Sequence, residues 1–217
     1  MVKKNFIFDM DGVIFDTERF YLECCIPAAE KLGMENMEEV AYQCTGLTEK
    51  ETEKVLRANY GDAPLVEFHQ ETGRIFQERY AETGLPIKEG AVELLKYLKE
   101  QGAKIALGSS TRVDIIRKEL RDAALIDYFD VIIGGDMVEN SKPQPDVFLR
   151  AAEELHVSIA ECCIIEDSYN GVRAARAAGG TVFMVPDLQQ PTEEIRSLAD
   201  QVFDSLSDVL VYLHTVH

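Results

Sequence analysis

Residues 6–18 read FIFDMDGVIFDTE, and an apolar run (Phe6, Ile7, Phe8) delivers Asp9 and then Asp11 to the point where a strand should end. Carboxylates two residues apart in an extended chain share a face, and like charges that close repel unless a cation sits between them. The pattern therefore suits a divalent metal held by hard oxygen ligands. Gly12 follows at once, and a second apolar run (Val13, Ile14, Phe15) leads to Asp16 and Thr17. Asp-x-Asp-Gly also occurs in ordinary turns and in calcium loops. The calcium pattern needs a third acidic or Asn residue ahead of its glycine, and the run before Asp9 supplies none. A buried strand feeding the aspartates fits a catalytic strand end better than a solvated turn.

Three further segments offer matching groups. Gly108-Ser109-Ser110-Thr111-Arg112 leaves an apolar run and enters a helical pattern. Hydroxyls and backbone N–H groups at a helix N-terminus bind phosphate, although N-capping alone would also select Ser and Thr there. Lys142 lies in Asn140-Ser141-Lys142-Pro143-Gln144-Pro145-Asp146, where two prolines stiffen the loop that presents it. A lone Lys is otherwise a solvated charge. Glu166-Asp167-Ser168 gives a second acidic pair, which with the first makes an oxygen-ligand inventory suited to Mg²⁺.

The elements that must position these groups are legible as apolar runs at 6–8, 105–107, 131–133, 162–165 and 182–185. Helical faces separate the later ones: Leu94, Leu95 and Leu98; Ile115, Ile116 and Leu120; Val147, Phe148, Ala151, Ala152 and Leu155. Alternating strands and helices predict an α/β fold, a Rossmann-like parallel sheet covered on both faces. Ligands of such sheets bind at the carboxyl ends of the strands, where all four segments fall. One interval is anomalous, since nearly a hundred residues separate the first two runs. Phe20, Cys24, Ala28 and Leu32, with Tyr21, Cys25 and Ala29 alongside, form one helical face there. Residues 48–51 have the form of a capping box, and Leu65, Phe68, Thr72, Ile75 and Phe76 form another face. The expected organisation is an α/β core at 1–15 and 87–217 with a helical cap inserted at 16–86. Its hinges would lie at Asp16-Thr17 and 84–86, and it would act as a lid; a plain extra helical layer is the alternative.

Composition narrows the classes. The 217 residues carry a formal charge of −17, which argues against nucleic acid and repels free anions at long range. Phosphate chemistry would have to rest on a local metal and a few placed cations. No apolar stretch approaches the ~20 residues of a membrane span, and the N-terminus does not have the form of a secretory signal. The five cysteines show no metal or redox spacing. Reduced thiols in a cytoplasmic protein are expected.

The ordered motifs FDMDGVIFDTE, LGSSTR, SKPQPDVF and IIEDSYNG resemble those of the haloacid dehalogenase superfamily, over essentially the whole chain. The resemblance implies that Asp9 is the nucleophile that takes a phosphoryl group and Asp11 the general acid and base. It implies that Ser109 and Lys142 bind phosphate, with Ser110, Thr111 and Arg112 of the Ser109 loop as further phosphate-binding candidates, and that Lys142 screens Asp9. It also implies an Mg²⁺ site made by Asp9, the Asp11 carbonyl and Asp167, with Glu166 in direct or outer support. The insertion resembles the helical cap of the branch whose cap follows the first strand.

Within that superfamily, an acid at Asp11 selects phosphoryl-ester chemistry over the dehalogenases and phosphonatases, which lack it. The choice is then between a phosphatase of small phosphorylated metabolites and a β-phosphoglucomutase-type transferase. The mutase pattern carries a His at the position matched to Tyr21 and basic residues around the glycine matched to Gly46. Here that loop reads Cys44-Thr45-Gly46-Leu47-Thr48-Glu49, so the phosphatase is expected. Tyr21, Thr45, Gly46, Leu47 and Glu49 are the expected cap contacts to substrate. A non-hydrolytic phospho-receiver is a third reading, disfavoured because receivers are shorter and uncapped.

Overall fold

The structure, a computed structural model, describes residues 4–44 and 49–216. The chain divides into two compact units, Met1–Phe15 with Ile87–His217, and Asp16–Pro86.

The first unit is built on one parallel sheet of six strands: β1 Asn5–Phe8, β2 Lys104–Gly108, β3 Val131–Ile133, β4 Cys162–Glu166, β5 Thr181–Met184 and β6 Gln201–Val202. Their order is β3-β2-β1-β4-β5-β6, and every pairing is parallel. Strand β1 is central, with Phe8 level with Leu107 of β2 and Ile165 of β4. Its residues are buried apart from half-buried Asn5, so it reads as a continuous apolar run.

The helices, in chain order, are α1 Thr17–Lys31, α2 Met37–Cys44, α3 Glu49–Tyr60, α4 Leu65–Thr83, α5 Ala91–Glu100, α6 Val113–Asp122, α7 Asp146–Glu154, α8 Tyr169–Ala178, α9 Glu193–Leu198 and α10 Leu206–Val216. On one face of the sheet, Ile7, Ala106, Ile164 and Val182 meet Val147, Phe148, Ala151 and Val172 from α7 and α8. The alternate residues turn to the other face, where Phe183 of β5 meets Tyr212 of α10 edge-on at 5.7 Å. Period-2 alternation along buried strands thus feeds two helical layers.

Two sequence expectations change. A sixth strand, β6, extends the sheet, and its two residues are too few to register as an apolar run. On α6 the buried stripe is Ile116 and Leu120, while Ile115 is exposed. Residues four apart share a helix face, and Ile115 sits a third of a turn off it.

The second unit, Asp16–Pro86, contains α1 to α4 around a core of Cys25, Ala28, Ala29, Met34, Val40, Leu56, Leu65 and Phe68. Arg79 of α4 lies 4.7 Å from the Phe20 ring centroid and bonds Glu23 at 2.7 Å, fastening α4 to α1. Thr45, Gly46, Leu47 and the capping-box residue Thr48 lie outside the described residues. No helix among the described residues is long and apolar enough to cross a membrane.

Candidate active site

The strand order reverses between β1 and β4, and this is where an open parallel sheet forms its ligand crevice. Asp9 continues the ladder one residue past β1, its N–H donating to the Ile165 carbonyl at 2.9 Å. The chain then turns. The N–H groups of Ile14 and Phe15 both donate to the Met10 carbonyl, at 2.8 and 3.0 Å, and that of Gly12 donates to Phe15 at 2.8 Å. The strand thus does not continue through Asp11: a bend at Met10 separates the two aspartates, where their spacing suggested extended backbone. Fully buried Met10, Val13, Ile14 and Phe15 anchor the bend. Gly12 has φ +79°, and a Cβ there would stand 2.3 Å from Oδ2 of Asp167, so the turn closes against the end of β4 only without a side chain.

Lys142 joins the two strand ends. Its ammonium donates to Oδ1 of Asp9 and, at 2.7 Å, to Oε1 of Glu166. The remaining Glu166 oxygen accepts three bonds, from the N–H of Asp167 (2.9 Å), the N–H of Ser168 and the Ser168 hydroxyl (both 3.0 Å). Both oxygens of this fully buried carboxylate are thus engaged. Gly171 makes room for it, since a Cβ there would fall 1.7 Å from Oε1. The Lys142 loop is held by Asp146, whose Oδ2 accepts from the backbone N–H (3.2 Å) and side-chain amide (3.0 Å) of Asn140. The Phe148 ring lies beneath the ammonium at 4.8 Å, a cation–π contact.

Burial pushes the Asp9 carboxyl up, to about 8, against the opposing pull of Lys142, with Glu166 and Asp11 adding to the rise. Burial disfavours the Lys142 ammonium, but Asp9 and Glu166 outweigh it and hold the group above its usual range. Oxygens of Asp9, Glu166 and Asp167 all lie within 4.8 Å of one another. Several carboxylates share this site with one ammonium, and the donors are all hard oxygens. A divalent cation fits: it would offset the excess negative charge and favour the ionised form of Asp9. Asp9 and Asp167 are the residues that could hold it, because Glu166 is committed to Lys142 and to its own loop.

The loop after β2 supplies the opposite wall. Ser109 is buried, and its N–H donates to the Ile133 carbonyl at 3.1 Å. Thr111 donates its N–H to the Ser109 hydroxyl oxygen (3.0 Å) and its hydroxyl to Oδ2 of Asp11 (2.9 Å). Ser110 is exposed, and Arg112 turns outward to pair with Asp114 at 3.1 Å. The structure thus brings Asp9, Asp11, Ser109, Thr111, Lys142, Glu166 and Asp167 to adjoining strand ends, whereas the Arg112 guanidinium is engaged at the surface. Tyr21 lies in the helical unit, exposed and 6.5 Å from the Phe76 ring. Glu49 opens α3.

Two residues near the site carried no sequence signal. Asp136, after β3, accepts from the Val113 N–H at 2.9 Å and so caps α6 across chain segments. Glu119 on α6 is half-buried; burial, and then the charge of Asp11, push its carboxyl up to about 7. Only the fold identifies either one, because acids are ordinary on polar helix faces and in loops.

Known proteins share this fold. Residues 6–185 match the family described as haloacid dehalogenase-like hydrolase. A phosphorylated carbohydrates phosphatase of Thermotoga maritima is 35% identical over 178 residues, 80% of each chain. A β-phosphoglucomutase of Bacillus subtilis is 33% identical across 81% of this chain and 80% of its own. Among solved structures, a candidate β-phosphoglucomutase of Thermotoga maritima aligns with a TM-score of 0.83 at 30% identity, covering 99% of this chain and 100% of that one. With a family match that runs from β1 through β5 and includes every strand end that carries the site, the chain belongs to the haloacid dehalogenase-like hydrolases and is an enzyme of that class.

Proposed function

We propose that the protein is a Mg²⁺-dependent phosphatase of small phosphorylated metabolites, of the sugar-phosphate type, working through a phosphoryl group carried on Asp9. The observation that carries this reading is the buried Asp9 carboxylate bonded to Lys142 at the end of β1, with Asp11 two residues on and hydrogen-bonded by Thr111. The similarity to a phosphorylated carbohydrates phosphatase supports the substrate class.

Asp9 attacks phosphorus, the bond from phosphorus to the ester oxygen breaks, and Asp11 gives its proton to the departing alkoxide. Water then attacks the aspartyl phosphate, Asp11 takes a proton from it, and the Asp9 carboxylate returns. Splitting the hydrolysis in this way replaces one hard displacement by two easier ones. A phosphate dianion repels a carboxylate, so placed positive charge is needed on the transferring group. Lys142 provides part of it, the Ser109 hydroxyl and the backbone of the Ser110 loop add donors, and Glu166 keeps Lys142 aimed. Mg²⁺, held by Asp9, Asp167 and the Asp11 carbonyl, would supply further charge stabilisation for the phosphoryl oxygens when bound.

We assign residues 1–15 and 87–217 as the catalytic core and 16–86 as the cap that selects substrate, through Tyr21, Thr45, Gly46, Leu47 and Glu49. The free cysteines suit a cytoplasmic enzyme. The hydrolase family match takes the place of the phospho-receiver reading.

A second reading, phosphoryl transfer of the β-phosphoglucomutase type, is favoured by the Bacillus subtilis relative. Tyr21, where the mutase pattern has His, weighs against it. One experiment separates the two: incubation with β-glucose 1-phosphate and a trace of the 1,6-bisphosphate in Mg²⁺. Steady release of inorganic phosphate, lost in Asp9→Asn, is expected. Rapid formation of glucose 6-phosphate with little free phosphate would place the protein on the mutase branch.

A further inference from the structure

We propose that Thr111 is the positioning residue for proton transfer: it fixes which oxygen of Asp11 carries the mobile proton and ties that carboxylate to the phosphate-binding Ser109. The inference rests on the phosphatase reading and assigns Thr111 a role other than direct phosphate binding.

Each polar group of Thr111 has a partner in the catalytic unit. Its N–H donates to the Ser109 hydroxyl oxygen at 3.0 Å, its hydroxyl donates to Oδ2 of Asp11 at 2.9 Å, and its carbonyl accepts the Gly135 N–H at 2.9 Å. The last contact docks the loop on the end of β3. It depends on glycine, since a Cβ on Gly135 would lie 2.2 Å from the Ser110 carbonyl oxygen.

The direction of each bond has a chemical consequence. The Thr111 hydroxyl donates to Oδ2, so that oxygen serves as an acceptor, and Oδ1 is left to carry the proton given to the leaving alkoxide and later taken from water. A carboxylate without this bond can turn about its last torsion, a broad and soft one, and present either oxygen. On the other side, Ser109 accepts from the Thr111 N–H, which leaves the Ser109 hydroxyl hydrogen available to a phosphate oxygen. The β-branched side chain restricts χ1, so one residue sets both the donor to phosphate and the acid. Arg112, the next residue, is directed to Asp114 and takes no part.

The test uses two esters of similar size, benzyl phosphate and 4-nitrophenyl phosphate, in single-turnover experiments on the full chain with Mg²⁺. Benzyl alkoxide needs a proton as it leaves, whereas 4-nitrophenolate departs without one. General acid catalysis is worth typically ~10²–10⁴-fold, and mispositioning the acid should forfeit part of it. Thr111→Val should therefore slow phosphorylation of Asp9 by benzyl phosphate roughly 10–100-fold. It should change the 4-nitrophenolate burst rate by less than about 3-fold and leave KM for both esters within about 3-fold. Thr111→Ser, which keeps the hydroxyl, should restore the benzyl ester rate. Thr111→Ala is measured alongside, so that a folding defect of the valine variant does not decide the outcome. Equal losses on both esters, a change confined to KM, or no loss on either would overturn the assignment of Thr111 while leaving the phosphatase reading intact. A wild-type protein inert toward both esters would overturn both.

Discussion

Replacing Lys142 by Met tests whether the site is a buried charge network. The Lys142 side chain is 7% exposed, Asp9 9% and Glu166 0%. At the 2.7 Å separation from Glu166, an effective dielectric of about 20 gives a gross attraction of about 6 kcal/mol. Desolvation of the ions offsets several kcal/mol of it, and removing one partner of a buried pair costs about 3–5 kcal/mol in practice. Because Lys142 bonds both acids, its loss strands the Glu166 carboxylate and leaves Asp9 without the cation that opposes its protonation. For a chain of this length a destabilisation of that size lowers Tm by roughly 6–20 °C. The assay is thermal unfolding in chelator at neutral pH. A second substitution sharpens it: Lys142→Met/Glu166→Gln removes the stranded Glu166 charge, while the amide oxygen can still accept from the Asp167 and Ser168 N–H groups. The double variant should unfold at a higher temperature than Lys142→Met alone yet stay inactive, because the cation beside phosphate is still missing. A Tm for Lys142→Met within about 2 °C of wild type, or a double variant less stable than the single one, would refute the reasoning.

Other outcomes follow from the same geometry. Gly171→Ala should displace Glu166, whose Oε1 lies 1.7 Å from the added Cβ, at a cost of about 1–3 kcal/mol and with loss of turnover; chemical denaturation and phosphate release measure the two. Burial raises the Glu119 carboxyl to about 7, so the folded chain holds that proton more tightly than the unfolded one. The resulting stability is full below the unfolded value near 4.5 and is lost as pH rises through 7. Glu119→Gln should therefore gain stability relative to wild type across that window, and a Tm difference that stays flat from pH 4 to 8 contradicts it. Four of the five cysteines are buried, and burial pushes the Cys25 thiol up to about 12. Iodoacetamide should label Cys44 first in the native protein and all five after unfolding, as read by intact mass.

The sheet was legible because its strands are buried on both faces and so appear as uninterrupted apolar runs, each ending in residues that packing has no use for. Asp9, Lys142 and Glu166-Asp167 stood out for that reason. β6 did not, since a two-residue strand that opens on Gln201 makes no apolar run. The bend at Met10 was hidden as well: strand-like alternation and a bend that folds a second apolar run back on the first read alike until the hydrogen bonds are known. Thr111 and Arg112 show the same limit at the site. Their types suggest equal shares in phosphate binding, but Asp11, a hundred residues away, and Asp114 decide where each side chain goes. Glu119 is one polar helix residue among many until α6 sets it near Asp11. The loop around Gly46 and its neighbours lies outside the described residues, so the mutase-versus-phosphatase reading still rests on the residue types there and on Tyr21.

The central claim is that Asp9 becomes covalently phosphorylated during turnover. Rapid quenching of the Mg²⁺-loaded protein with a sugar phosphate, followed by reduction of the acyl phosphate to homoserine with ³H-borohydride and peptide mass spectrometry, tests it directly. The account predicts label on the peptide containing Asp9, formed and lost at rates no slower than phosphate release, and no label in Asp9→Asn. Steady turnover with Asp9 unlabelled, or near-wild-type activity in Asp9→Asn, would contradict it.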